Sequence, residues 1–337
     1  MPTTLESLIA RREGVPPAHL RVETRPLRGG LEAASIDRIT ARYRDARNRE
    51  RVVHLVVKRL AGPAIREATI YEELVAKQAA DLAPRILHVQ HLGVERADVY
   101  MEALRPVRAW PWRERRAVEC VLECVASLHA RTVGAEAMAT LRDWDYEVEL
   151  QSTAILTLER LERLDRRTAG WRVADALRWT RRVVDVLPTL RRELLAHRAF
   201  GRAIIHGDLH SGNVVLRRRR GRLEPLLLDW GRARVGSPLE DVSSWLQSLG
   251  AWEPEARRRH DTLFVGYLAA CGMEPRLDAG ARAAYWLAGA SNALAGALLY
   301  HLAVLLDDRV SVARRASAAW MAREWVRVLR RADYFWS

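Results

Sequence analysis

The stretch RAIIHGDLHSGNVVLRRRRGRLEPLLLDWG, residues 202–231, holds three side chains whose types and spacing suit chemistry. Asp208 and Asn213 stand five residues apart after the apolar run Ala203-Ile204-Ile205, and Asp229 closes a second apolar run, Leu226-Leu227-Leu228. Loops at strand ends present polar groups from a rigid scaffold. A fourth residue stands far upstream. Of 55 basic residues only Lys58 and Lys77 are lysines, and Lys58 lies in the strand-like run VVHLVVKRL, 52–60. A compact ammonium does what the planar arginine fork does not, so a lysine kept here is informative. Two carboxylates, an amide and a lysine are the parts that phosphoryl transfer from ATP needs. One carboxylate orients the attacking hydroxyl and takes its proton. The amide and the other carboxylate hold Mg²⁺, and the lysine neutralises phosphate charge.

Kinase catalytic loops place base and Mg²⁺-binding Asn five residues apart, with D-x-G downstream. Asp208, Asn213 and Asp229-Trp230-Gly231 follow that order. With HGDLHSGNVV and LLLDWGRARVGSPLEDVSSWL, the chain resembles the aminoglycoside phosphotransferase and choline kinase family, small-molecule kinases of protein-kinase-like fold. The resemblance implies Asp208 as catalytic base and Asn213 and Asp229 as Mg²⁺ ligands. It also implies Lys58 on the third strand, paired with a helix Glu. Glu67 fits that place, with Glu72 and Glu73 as rivals. His206 fills the structural His of the motif, and His210 receives no role. The loop LRGGLEAASIDRI resembles the phosphate-covering turn, with Gly29 and Gly30 its glycines. VYMEALRP, 99–106, resembles the connector whose backbone holds adenine, around Glu102 and Leu104. The implied cofactors are ATP, with GTP also compatible, and Mg²⁺.

These residues need a particular set of elements. Residues 20–60 alternate as strands broken at Gly29-Gly30 and around Asp45 to Asn48. Residues 64–80 carry apolar positions at helical spacing, and two short strands follow. Beyond RPVRAWPW the pattern turns helical over 113–133, 145–165 and 173–198, and again from Pro238. The expectation is an α+β, protein-kinase-like two-lobe fold: a nucleotide-binding lobe at 1–102, a connector at 103–110, and a helical catalytic and acceptor-binding lobe at 111–337. Only eight residues separate Asp229 from Pro238 and no A-P-E follows, so the segment that docks a protein substrate is missing. A small hydroxylated acceptor is expected instead. A nucleotide-binding module without turnover is the alternative from another class, with an atypical protein kinase as a third.

The remaining features read more plainly. The net charge of +13 is spread along the chain with no aromatic-plus-basic module, which argues against nucleic acid as a partner. RRRRGR, 217–222, reads as a solvated hairpin tip. Residues 286–306 are uncharged and long enough to cross a bilayer, yet Ser291, Asn292 and His301 within them favour a buried helix. With three cysteines and a polar N-terminal stretch, the expectation is a cytoplasmic protein free of membrane spans, acting as monomer or homodimer. Cys120 and Cys124, one helical turn apart, read as core. Asp143, Asp145, Glu147 and Glu149 read as acids favoured at a helix N-terminus. Their alternative is a subsite for a cationic acceptor, with Trp144 and Tyr146 offering cation–π faces. Glu240 and Asp241 read by default as helix-capping acids. The family resemblance instead implies an Asp there bracing the Mg²⁺-binding loop.

Overall fold

A computed structural model describes residues 4–27, 33–131, 141, 145–164 and 172–336. The chain divides into two compact units, and both are discontinuous. The first comprises residues 1–107 and 215–232, the second 108–214 and 233–337. Gly29 and Gly30 lie outside the described residues, as do Asp143 and Trp144.

In the first unit, helix α1 (Thr4–Glu13) precedes β1 (Ala18–Pro26), β2 (Ser35–Arg44) and β3 (Glu50–Ala61). A helical segment α2 follows over 66–78, and β4 (Ile86–His91) and β5 (Arg96–Glu102) complete an antiparallel sheet in the order β1-β2-β3-β5-β4. The alternation that marks these strands in the sequence is the burial pattern of the sheet. In β2, Ile39, Ala41 and Tyr43 turn inward and join Leu55 and Val57 of β3 under Leu5 and Ile9 of α1. β3 is flanked on both sides, with Lys58 opposite Ile36 of β2 and Val99 of β5. α2 contains a π turn at Tyr71–Val75, a local rewinding that recurs at functional sites.

The later segment of this unit is a hairpin of β7 (Val214–Arg219) and β8 (Arg222–Leu227), which runs on to Asp229-Trp230-Gly231. The arginine run is its tip, turning at Arg220 and Gly221, both at positive φ. Hydrogen bonds to the earlier part of the unit fasten the segment. Val107 donates to the Leu216 carbonyl (2.8 Å), Leu227 donates to the Leu82 carbonyl (2.7 Å), and Arg66 donates to the Gly231 carbonyl.

The second unit is helical. It contains α3 (Arg115–His129), α4 (Tyr146–Glu162), α5 (Val173–Ala196), α6 (Pro238–Trp252), α7 (Pro254–Arg258), α8 (His260–Ala270), α9 (Ala279–Leu305) and α10 (Val312–Trp336). A short antiparallel pair, β6 (Ala203–Ile205) with β9 (Arg234–Gly236), lies among them. α9 is the one helix among the described residues long and apolar enough to cross a membrane. It packs against α4, α5, α6 and α10, as a core helix does. Gly289 permits the closest approach: a Cβ there would stand 2.6 Å from Ser243 Oγ and 2.9 Å from a Val328 methyl. Cys120 and Cys124 are buried in α3, and burial pushes the Cys120 thiol up to about 11, as expected of core cysteines.

Candidate active site

Lys58 is the centre of the site in the first unit. Its ammonium lies 2.5 Å from Glu67 on α2 and 2.9 Å from Asp229 Oδ1. Lys58 and Glu67 are both buried, at 5% and 2% exposure. Burial works against the Lys58 charge, but Glu67 and Asp229 outweigh it and hold the ammonium above its usual range. Burial pushes the Glu67 carboxyl up, with Lys58 opposing. The rivals for this pairing are engaged elsewhere, Glu72 with His91 (2.9 Å) and Glu73 with Lys77 (2.5 Å). Tyr71, in the π turn, is fully buried, and burial with the neighbouring Glu67 and Asp229 carboxylates holds its hydroxyl well above the usual range.

Asp229 sits at φ +61°, a left-handed conformation that costs a non-glycine residue energy. Trp230 holds it there, being fully buried with its indole N–H on the Leu227 carbonyl (2.9 Å). Glu102, at the end of β5, accepts the Arg85 backbone N–H (3.0 Å) and pairs with Arg217 (3.1 Å). Leu104 follows, half-buried, in the irregular connector.

In the second unit the loop after β6 carries Asp208 and Asn213. The Asn213 amide nitrogen donates to both the carbonyl and Oδ2 of Asp208, each at 2.9 Å, and its backbone N–H donates to the His210 carbonyl (2.9 Å). Asn213 Oδ1 is then the atom turned away from these bonds. His210, for which the sequence offers no role, belongs to this loop. Its Nδ1 accepts the Gly212 N–H (3.0 Å), so Nε2 carries the proton and faces Asp208 Oδ2 at 3.6 Å. Gly212 makes room for the ring, because a Cβ there would stand 2.8 Å from His210 Cε1.

The first turn of α6 corrects the default capping reading of Glu240 and Asp241. Ser237 is the N-cap, its hydroxyl accepting from Leu239 N–H (3.3 Å). Asp241 instead accepts the backbone N–H groups of His206 (2.7 Å) and Gly207 (2.8 Å), bracing the loop just ahead of Asp208. His129 of α3 supports it from behind, with Nε2 3.2 Å from Asp241 and Nδ1 accepting from the Tyr267 hydroxyl (2.8 Å). Burial alone would raise the Asp241 carboxyl. His129, His206 and the Gly207 N–H outweigh burial and hold it below the usual range.

Glu240 lies between Arg191 of α5 and Arg234 of β9, with Arg234 at 2.5 Å, and all three residues are buried. Arg234 also donates to the Gly207 carbonyl (3.3 Å), tying this charge cluster to the same loop. Sequence reading passes over Arg191 and Arg234, because among 53 arginines nothing marks the two whose heads are buried.

The acidic cluster resolves as far as it is described. Asp145 caps α4 by accepting the Val148 N–H (3.2 Å), and Glu147 pairs with Arg191 (2.6 Å). The Tyr146 ring lies under Arg234, whose guanidinium carbon is 3.7 Å from the ring centroid. The helix-terminus reading accounts for Asp145, and Arg191 accounts for Glu147.

Residues 23–285 match the phosphotransferase enzyme family. No curated protein matches the chain in sequence. Among solved structures, a spectinomycin phosphotransferase in complex with ADP and spectinomycin is similar, with TM-score 0.56 and 13% identity over 99% of this chain and 100% of that one. An ethanolamine kinase from Plasmodium vivax gives 0.57 at 11% identity, covering 90% and 81%. An amicoumacin kinase in complex with AMP-PNP and Ca²⁺ gives 0.54 at 14%, covering 96% and 93%. At such identities the likeness is one of fold: an N-terminal antiparallel sheet followed by a helical part. With the family match spanning most of its length, the chain belongs to the phosphotransferase enzyme family and shares the fold of these kinases.

Proposed function

We propose that the protein transfers the γ-phosphoryl group of ATP to a hydroxyl of a small molecule. The observation that carries this is the buried Lys58 ammonium held between Glu67 and Asp229 in a chain where 53 of 55 basic residues are arginine. A purely structural cation has no need to be lysine, whereas a compact ammonium suits phosphate oxygens approached beside a helix carboxylate. Fold relatives crystallised with ADP and AMP-PNP support a nucleotide in this role.

Asp208 orients the acceptor hydroxyl and receives its proton. The hydroxyl oxygen bonds to the γ-phosphorus, the bond from that phosphorus to the β–γ bridging oxygen breaks, and its electron pair leaves with ADP. Asn213 keeps the Asp208 carboxylate aimed through its amide nitrogen, and Asp241 fixes the backbone beneath it. Lys58 contacts the α- and β-phosphates. Catalysis of this kind is mostly positioning and charge stabilisation.

The residues present fit Mg²⁺. Asn213 offers an amide oxygen and Asp229 a carboxylate, hard oxygen donors of the kind that share such an ion with substrate phosphates. Bound there, the ion would neutralise charge on those phosphates. The connector around Glu102 and Leu104 offers its backbone to the base, without selecting ATP over GTP, and Gly29 and Gly30 would cover the phosphates.

Replacing Asp208 by Ala tests the assignment. Transfer falls by about a thousandfold or more, while thermal stabilisation by Mg-ATP persists. Full activity in D208A would sink it. Stabilisation by Mg-ATP without ATP consumption in the wild type would instead mark a nucleotide-binding module.

A further inference from the structure

The groups assigned to transfer do not themselves select an acceptor. A cavity of about 780 Å³ opens in the second unit, a size suited to a small-molecule ligand. It adjoins the catalytic loop: Arg234 lines it and donates to the carbonyl of Gly207, the residue before Asp208.

Its charged lining is lopsided, with Arg191, Arg192, Arg202 and Arg234 against Asp145 and Glu147. Both carboxylates are engaged within the protein, Asp145 on the Val148 N–H and Glu147 on Arg191. The face of Tyr146 that a cation would use is covered by Arg234 at 3.7 Å and approached by Arg191 at 4.7 Å. An ammonium-bearing ligand would meet two guanidinium groups where it needs an aromatic face. Arg192 and Arg202 are exposed, and among the described residues neither has a carboxylate within ion-pair distance. Arg192 makes only a 3.3 Å bond to the Thr189 hydroxyl. Two guanidinium forks on a concave wall match a carboxylate or a phosphate ester.

We propose that the acceptor carries an oxyanion besides the hydroxyl it phosphorylates, and that Arg192 and Arg202 hold that oxyanion in this cavity. The proposal rests on the kinase reading above, and its test separates the two. The whole chain is first titrated with inorganic sulfate by calorimetry, without nucleotide and at constant ionic strength. The wild type binds sulfate saturably. R192E/R202E weakens that binding by about tenfold or more, and R218E/R220E, the same charge reversal on the β7–β8 hairpin, leaves it unchanged.

Mg-ATP consumption is then measured with glycerate and glycerol phosphate as anionic alcohols, glycerol as the neutral one, and choline and ethanolamine as cationic ones. An anionic alcohol has the lowest KM. R192E/R202E raises that KM about tenfold, with kcat and the KM for ATP little changed. A preference for glycerate over glycerol phosphate identifies the oxyanion as carboxylate, and the reverse as phosphate. Sulfate binding indifferent to R192E/R202E, or preference for a cationic alcohol, overturns the proposal. Sulfate binding lost in R192E/R202E with no turnover on any alcohol upholds the anion site and removes the kinase reading.

Discussion

At the scale of single residues, the site depends on which cation stands where. Lys58→Arg keeps the charge but places a broad planar fork between Glu67 and Asp229, in space shaped for an ammonium. The expected result is a loss of about a hundredfold in kcat with nucleotide affinity reduced less, read from steady-state kinetics. Wild-type turnover would return Lys58 to a structural role. Glu240 sits at the opposite extreme, since its carboxylate serves stability. E240Q leaves Arg191 and Arg234 buried without their shared counter-charge and costs about 3–5 kcal/mol in denaturant unfolding. Lys58 was legible in the sequence because lysine is scarce there. Arg191 and Arg234 were illegible because arginine is abundant, and only packing distinguishes a buried guanidinium from a solvated one.

Helices and strands differ in how plainly the sequence marks them. The strands were legible because alternation in the sequence is alternation of burial in the sheet, as in Ile39, Ala41 and Tyr43. The first turn of α6 was not, because Glu240 and Asp241 occupy positions where acids commonly serve a helix terminus. Their partners are Arg191 of α5 and the loop after β6, both remote in sequence, and Arg234 of β9, six residues away but unmarked among the arginines. Asp241→Asn keeps the shape but gives up the charge that holds the His206 and Gly207 N–H groups. Its kcat should fall about tenfold or more while KM for ATP moves little, the pattern of a displaced loop rather than a lost ligand. Helix contact is equally specific at α9. Gly289→Ala pushes a methyl into Ser243 and Val328 and should cost about 1–3 kcal/mol in thermal or urea unfolding. An unchanged midpoint would show that α6 and α10 give way freely.

For the molecule as a whole, charge and pH set a further expectation. Burial pushes the His301 imidazole, on α9, down to about 4, whereas in the unfolded chain it titrates near about 6.5. Between those values the unfolded chain binds more protons, so His301 lowers stability as pH falls through that window and has no effect above it. H301Q should therefore narrow the gap between stability at pH 7.5 and at pH 4.5 by about 2 kcal/mol. An unchanged gap would remove His301 as the titrating group. The apolar stretch that contains it was readable as a core helix because Ser291, Asn292 and His301 interrupt it, and α4, α5, α6 and α10 surround it. Nothing in the linear pattern announces that residues 215–232 pack with the first unit, because the bonds that fasten them, to Leu82 and Arg66, join residues distant in sequence.

That return of the chain has a consequence in time. Lys58 leaves the ribosome 171 residues ahead of Asp229. While α3, α4 and α5 are being made, all five strands of the sheet have already been synthesised, yet the Lys58 ammonium has Glu67 and lacks its second carboxylate. A chain halted anywhere between residues 107 and 215 completes neither unit. The charges proposed to handle a nucleotide are thus brought together only in molecules translated past Asp229, and truncated products are left with a first unit lacking residues 215–232 for quality control to recognise.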